Sequence, residues 1–163
     1  GRCLRCESDK SDEGTAMTTV LKPAVTWNGD TDQPATLEES VGYERPLQSL
    51  DGKTNFAYCL WHYPADAEFK APTWLLHYLQ CAGTAERMTV ELRVSHDDGT
   101  YNHWVLGRAP LTGDKTEQVD WAQGQSMIHP EEVWTAEQAA PLFEQYSRER
   151  TIPDWVHRRE LDL

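Results

Sequence analysis

The stretch from Arg87 to Arg108, RMTVELRVSHDDGTYNHWVLGR, decides the fold. Its first nine residues alternate between polar and apolar types, and this period of two places the apolar set on one face of a β-strand. The dipeptide Asp98-Gly99 then supplies the positive φ angles of a tight turn. Tyr101–Leu106 is the predicted return strand, because Tyr, Trp and Val suit a half-buried pleated surface. We therefore predict an antiparallel hairpin covered on one face by Met88, Val90, Leu92 and Val94.

On the C-terminal side, the sequence predicts a helix and a closing strand. Thr135 and Gln138 form a capping box, in which each side chain bonds the other residue's backbone N–H at the start of a helix. Pro141 predicts that this helix is kinked or begins late, because proline removes one hydrogen bond and clashes with the preceding turn. Trp155–Leu161 is the last predicted strand. The inward helix face is expected to hold Ala136, Ala139, Ala140, Phe143 and Tyr146.

Between the hairpin and this helix, residues 107–125 are rich in Gly, Pro and acidic residues and are predicted to be a loop region. Pro130 interrupts the next predicted strand, which therefore lies at an edge or a bulge. Before the hairpin, a turn at Asn28-Gly29-Asp30 is prolonged as a loop to Pro34, and a capping box at Thr36 opens a short helix over residues 37–43. The remaining predicted strands are Val20–Trp27, with Pro23 favouring an edge, Asn55–Tyr63, Pro72–Cys81 and Ser126–Trp134.

These elements predict an α+β fold: an antiparallel sheet of about five to six strands with one or two helices packed on one face. The order lacks regular β-α-β alternation, which argues against a doubly wound nucleotide-binding fold. Residues 1–16 are polar and carry mixed charge, so we expect a disordered leader or a remnant of cloning there. Residues 17–163 are predicted to form a single domain.

The charge of the chain narrows the choice of partner. The sequence has 15 Lys and Arg against 27 Asp and Glu, a formal net charge of −12. Such a surface repels phosphate backbones and anionic lipids, which argues against binding to nucleic acid or to a membrane surface, and it favours a basic partner. Without an apolar run of membrane-spanning length or a secretory signal pattern, the sequence predicts a cytoplasmic protein.

Residues that carry chemistry are few, and no cofactor or metal is predicted. Cys3 and Cys6 form a C-x-x-C motif with no second half for a zinc site, so an incidental pair is the favoured interpretation. His77 and Cys81 lie four residues apart and share a face in either a helix or a strand, so a nucleophilic thiol beside an imidazole is an alternative to simple packing. Phosphate-binding glycine loops and hydrolase motifs are absent from the sequence.

Acidic loops with neighbouring aromatics are the most distinctive feature. A Trp flanked by carboxylates suits a protein interface, because the ring supplies buried area and the carboxylates attract Lys or Arg. The competing interpretation is a set of solvated loops whose Trp residues turn into the core. The predicted partner-binding residues are Asp97, Asp98, Asp114, Glu117, Asp120, Trp121, Glu131 and Glu132.

The segments GTYNHWVLG (residues 99–107) and EEVWTAEQAAPLFEQYSRERTIPDWV (residues 131–156) resemble a family of immunity proteins from bacterial polymorphic-toxin systems. In that family a strand leads into a helix, then a short link with Pro, then a closing strand that carries a Trp. Here the helix would hold Ala139, Ala140 and Phe143, the link Pro153 and the strand Trp155. The resemblance covers about the last third of the chain and the central hairpin.

The resemblance implies an α+β inhibitor without catalysis of its own that occludes the active cleft of a toxin, often one with a nucleic-acid deaminase fold. The net negative charge agrees, since enzymes that hold nucleic acid tend to have basic clefts. We therefore expect an immunity-like protein that binds a cognate, basic toxin. The alternative hypothesis is a small cysteine- and histidine-dependent enzyme of unknown substrate.

Overall fold

The computed structural model of the protein describes residues 20–36, 39, 42–70 and 77–162. The predicted leader with Cys3 and Cys6 lies outside these residues. In chain order the elements are β1 (Leu21–Trp27), β2 (Thr31–Pro34), α1 (Glu44–Gln48), β3 (Ala57–Pro64), β4 (Tyr78–Thr84), β5 (Arg87–Ser95), β6 (Tyr101–Gly107), β7 (Glu117–Trp121), β8 (Gly124–Ile128), a 3₁₀ helix (Pro130–Glu132), α2 (Ala136–Glu149) and β9 (His157–Glu160).

The α+β fold class is confirmed. Seven antiparallel strands form one sheet in the order β2-β1-β3-β4-β5-β6-β9, and β7 pairs with β8 in a separate hairpin. The central hairpin forms as predicted, with Ser95 opposite Tyr101 and Gly99 at a φ of 89° in the turn. The sheet is longer than the five to six strands expected, because residues 31–34 add an edge strand.

The helix α2 covers one face of the sheet, which we call the helix face. Thr135 caps it as predicted, and its side chain accepts a hydrogen bond from the Gln138 backbone N–H at 3.2 Å. The helix begins at Ala136 and runs through Pro141, so the predicted later start is wrong. All five residues predicted to face inward are buried, and they pack against the alternating apolar residues of β5, which include Met88, Val90 and Leu92.

The N-terminal strands differ from the prediction in two respects. Asn28 and Gly29 both have positive φ, 55° and 75°, and this makes a hairpin turn rather than the start of a long loop. Residues 31–34, predicted to be a loop, therefore pair with β1 as strand β2. The edge position that Pro23 predicted for this strand is wrong, because β2 lies outside β1 in the sheet. The Pro23 carbonyl accepts from the Ala35 backbone N–H at 3.0 Å. The N–H and C=O of a strand residue point to the same side, so the missing N–H of Pro23 costs one bond at the end of β2 and none in the pairing of β1 with β3.

Around residues 36–48 the prediction holds in part. Thr36 and Glu39 exchange the two bonds of a capping box, at 2.7 and 3.1 Å. Most of the predicted helix after Thr36 falls outside the described residues. The short helix α1 begins only after Tyr43 and includes Pro46, which the sequence prediction took as a limit. Pro46 is tolerated because it lies in the first turn, where a helical N–H has no partner within the helix.

Residues 107–134 also depart from the prediction. The expected loop contains β7, and the expected strand 126–134 divides into β8 and a 3₁₀ helix that begins at Pro130. The β7–β8 hairpin packs on the sheet face opposite α2, which we call the open face. Val105, Val119 and Ile128 form a small second core there.

A half-buried histidine links the helix to the sheet and makes stability sensitive to acid. His62 donates from Nε2 to the Ser147 carbonyl of α2 at 2.9 Å, and its buried Nδ1 has no partner among the described residues. Burial lowers the pKa of His62 below its usual value near 6.5. A proton therefore binds the unfolded chain more strongly than the folded one, and the resulting stability, complete above about pH 6.5, is lost as the pH falls through the lowered pKa.

We expect the urea midpoint to be constant from about pH 8 to 7 and to fall between about pH 6.5 and 5. His62→Gln should remove much of that fall. His77→Gln is the matched control, because burial also lowers the pKa of His77 although that residue is less enclosed. An unchanged slope in His62→Gln would exclude His62 as its source.

Candidate functional site

One end of the sheet collects most of the predicted partner-binding residues. This end of the sheet contains the β4–β5 turn, where Thr84 pairs with Arg87. Strand β7, the loop before it and the 3₁₀ helix all reach this end of the sheet. We call the surface the acidic end and define it by seven carboxylates that are exposed or half-buried: Asp51, Glu86, Asp114, Glu117, Asp120, Glu131 and Glu137.

Backbone and side-chain contacts hold these carboxylates around the turn. Arg87 donates to the Glu117 carboxylate at 2.9 Å and to the Gln118 carbonyl at 3.0 Å, and this ties β7 to β5. On one side of the turn, the Ala122 N–H bonds the Gly52 carbonyl at 2.9 Å, which brings Asp51 beside β7. On the other side, the Ala136 N–H bonds the Ala85 carbonyl at 2.7 Å and places the start of α2 there.

Local hydrogen bonds keep several of these groups ionised. The Lys53 backbone N–H, with those of Asn55 and Thr54, lowers the pKa of Asp51. The Arg87 side chain lowers the pKa of Glu117, and the Thr112 hydroxyl lowers that of Glu131. Hydrogen bonds that favour a carboxylate hold it in the charged form well below neutral pH. The acidic end therefore carries net negative charge, with Arg87 tied to Glu117 and with Lys53, Arg108 and Lys115 exposed beside its carboxylates.

Two predicted residues lie elsewhere on the surface. Asp97 and Asp98 occupy the β5–β6 turn, beyond the far end of β5 from Arg87. That strand spans about 26 Å at roughly 3.3 Å per residue. Asp98 accepts from the Thr100 backbone and hydroxyl at 2.9 and 2.6 Å, as expected for a residue that builds a turn. The structure therefore does not join them to the acidic end.

Glu132 is not a surface residue, which corrects its predicted place at an interface. Its side chain is fully buried and receives two hydrogen bonds from Arg159 of β9, at 2.7 and 3.0 Å. The His129 N–H donates a third at 2.9 Å. Burial of a carboxylate is costly unless a cation and hydrogen bonds compensate for lost water, and Arg159 provides both. Glu132 therefore locks the 3₁₀ helix against β9.

Trp121 opens onto a cleft that sequence reasoning missed. The cleft encloses about 380 Å³ between the open face and the β7–β8 hairpin, and Gln80, Thr89 and Glu91 lie on its floor. The half-buried Trp121 donates from Nε1 to the Ser126 hydroxyl at 3.3 Å. Its ring packs over Gly124, where an added Cβ would lie 2.6 Å from the ring. The sequence signal for this cleft was the set of polar residues in β5, including Thr89 and Glu91, which alternate with the core residues and therefore point to the open face.

A buried histidine stands behind this cleft, and both of its ring nitrogens are occupied. His103 Nε2 contacts Glu91 Oε1 at 2.6 Å, and Nδ1 accepts from Arg93 Nε at 3.1 Å. A catalytic imidazole needs one free nitrogen for the substrate proton. This histidine–carboxylate pair is therefore built for structure rather than for acid–base chemistry.

The cysteine and histidine of the alternative hypothesis do not form a nucleophilic pair. Cys81 is buried in the core, and burial raises the pKa of its thiol. His77 precedes β4, and its Nδ1 accepts from the Ser95 backbone N–H at 3.4 Å. Four residues of strand separate the two by about 13 Å. Among the described residues no group of three or more His, Cys, Asp and Glu side chains is placed to hold a metal ion.

The fold and this surface define an α+β protein with a helix-covered antiparallel sheet and a carboxylate-rich end. Comparison of the chain with protein-family models, with curated proteins and with solved structures gives no match. Within the described residues no helix combines the length and the apolar character needed to cross a bilayer.

Proposed function

We propose that this chain is a protein inhibitor of the immunity type, and that its acidic end binds a cognate basic toxin. The observation that carries the proposal is the convergence of carboxylates from four separate parts of the chain on one end of the sheet. Asp51, Glu86, Asp120 and Glu137 are all exposed there. A toxin that acts on nucleic acid needs a basic cleft for phosphates, and such a cleft is complementary to this surface.

Rigidity supports the same proposal. The acidic end is built on backbone pairing and on the Arg87–Glu117 contact, so the backbone that carries its carboxylates does not need to be ordered when a partner binds. Preorganised charges lose less conformational entropy on association. Attraction between opposite charges also raises the association rate and weakens as salt screens it, over about 8 Å at physiological ionic strength. Binding that is fast at low salt and slower at high salt is therefore expected.

Charge reversal at the acidic end is expected to abolish binding. The variant Glu86→Lys/Asp114→Lys/Asp120→Lys changes three exposed residues and should weaken binding by at least about a hundredfold, since each juxtaposed like charge costs free energy. The matched control, Asp66→Lys/Asp97→Lys/Glu149→Lys, makes the same change in net charge on exposed residues away from the acidic end. Its binding should be close to that of the wild type.

The test is affinity capture from lysate of the native host with the three chains as bait. Each is loaded at low salt, eluted at high salt and identified by mass spectrometry. The proposal expects one basic protein with the wild type and with the control, and its loss with the acidic-end variant. Equal melting temperatures of the three baits exclude misfolding as the cause. Equal capture by all three, or capture of no basic protein, would refute the proposal.

A further inference from the structure

We propose that the cleft beside Trp121 binds the guanidinium group of an arginine side chain. The proposed basic partner would supply that arginine, so this part of the inference rests on the proposed function. The chemistry of the cleft stands on its own residues. Its volume of about 380 Å³ lies in the range of about 300 to 1,000 Å³ common for ligand pockets. Trp121 follows Asp120 directly on β7, so the cleft borders the acidic end.

Glu91 supplies a carboxylate to the cleft, and among its described contacts no Lys or Arg is bonded to it. Its Oε1 atom accepts from Gln80 Nε2 at 3.3 Å and contacts His103 Nε2 at 2.6 Å. The Arg93 Nε atom can only donate, so His103 Nδ1 must accept and the imidazole proton must lie on Nε2. His103 Nε2 therefore donates to the Glu91 carboxylate and orients it.

The nearest arginine of the network is held away from that carboxylate. Arg93 is directed to His103, and its guanidinium lies 4.1 Å from the centre of the Tyr101 ring and 5.6 Å from that of Tyr78. Among the described contacts of Arg93, none joins it to Glu91. This carboxylate, whose side chain is 21% exposed, is thus open to a cation that enters from the cleft.

The rest of the cleft favours a flat cation. Trp121 presents an aromatic ring, and a guanidinium stacks on such a face more readily than an ammonium, because it is planar and weakly hydrated. The Gln80 amide oxygen and the Ser126 hydroxyl oxygen lie on the same lining and can accept hydrogen bonds. A guanidinium has five N–H donors, so one group can engage the carboxylate and these oxygens together.

The test uses N-acetyl-arginine-amide as the probe and N-acetyl-citrulline-amide as its neutral isostere. Binding is followed by the NMR shift of the Trp121 indole N–H, assigned through Trp121→Phe. The wild type should bind the arginine probe at least about tenfold more tightly than citrulline, because only the former pairs with a carboxylate. Glu91→Gln keeps the shape of the side chain and should weaken arginine binding by about tenfold. Asp97→Asn, at the opposite end, should leave it unchanged.

Equal binding of the two probes, or full binding by a folded Glu91→Gln chain, would overturn the inference. Affinity capture with the Glu91→Gln chain as bait tests whether the guanidinium comes from the partner. Reduced capture of the basic protein supports a partner arginine, whereas full capture alongside lost probe binding refutes that source. If the probe binds through Glu91 but the wild-type chain captures no basic protein, the proposed function fails while the chemistry of the cleft is retained.

Discussion

Replacement of Arg159 by leucine is expected to lower the free energy of unfolding by about 3 to 5 kcal/mol. The substitution removes the only cation bonded to Glu132 among the described contacts and leaves a carboxylate with no exposed surface in the protein interior. The cost is large because the remaining charge has lost its water and its cation, and keeps only the His129 backbone N–H as a hydrogen-bond partner among the described contacts. Urea denaturation followed by circular dichroism measures the effect at neutral pH.

Arg158→Leu is the matched control, because it makes the same chemical change one residue away on the opposite sheet face. Arg158 is exposed and lies 5.0 Å from the centre of the Trp104 ring, a contact expected to contribute about 1 kcal/mol or less. The double variant Arg159→Leu/Glu132→Leu should recover much of the lost stability, since no charge is left unpaired. Equal effects of Arg159→Leu and Arg158→Leu would show that the buried pair has no special weight.

The variant Gly83→Ala should destabilise the fold by a similar amount, about 3 to 5 kcal/mol. Gly83 has a φ of 131°, which residues with a side chain rarely adopt. An added Cβ would also lie 2.4 Å from the Arg87 carbonyl oxygen and 3.0 Å from Val119 Cγ1. Neither the backbone of β5 nor the packed β7 can move away without disturbing the acidic end. Partner binding should therefore fall together with stability.

Gly99→Ala separates the two causes of this effect. Gly99 also has a positive φ, 89°, but a Cβ there would meet no atom within 4 Å. It should therefore cost only the backbone strain, about 1 to 2 kcal/mol. If the urea midpoints of the Gly83 and Gly99 variants fell equally, close approach of β7 to the sheet would not be the reason for glycine at position 83.

The local signals in the sequence predicted the centre of the fold well. The alternation in β5, the turn at Gly99 and the capping box at Thr135 act over a few residues, and each has its predicted structure. Strand β7 escaped prediction because only Val119 among its five residues is fully buried, so its apolar pattern is almost absent. Its stability comes from tertiary contacts such as Arg87 with Glu117, which lie 30 residues apart.

The candidate site was predicted only in part, because it also depends on contacts between residues that are far apart in sequence. Carboxylates that are close in sequence drew attention, yet Glu132 pairs with a residue 27 positions later and is buried. Asp51 and Glu137 join Glu86 at the β4–β5 turn only because strand pairing and helix docking bring them there. From the sequence alone, Glu91 is predicted only to be one of the polar residues of an alternating strand. Its role in a cleft depends on the hairpin packed above it.

Growth of cells that express the captured basic protein tests the central claim most directly, because it measures inhibition rather than contact. The captured protein is induced alone and together with the wild-type chain, the acidic-end variant or the opposite-end control. Our account predicts arrested growth with the captured protein alone, recovery with the wild type and the control, and continued arrest with the acidic-end variant. Recovery with the folded acidic-end variant, or a captured protein that does not slow growth, would contradict it.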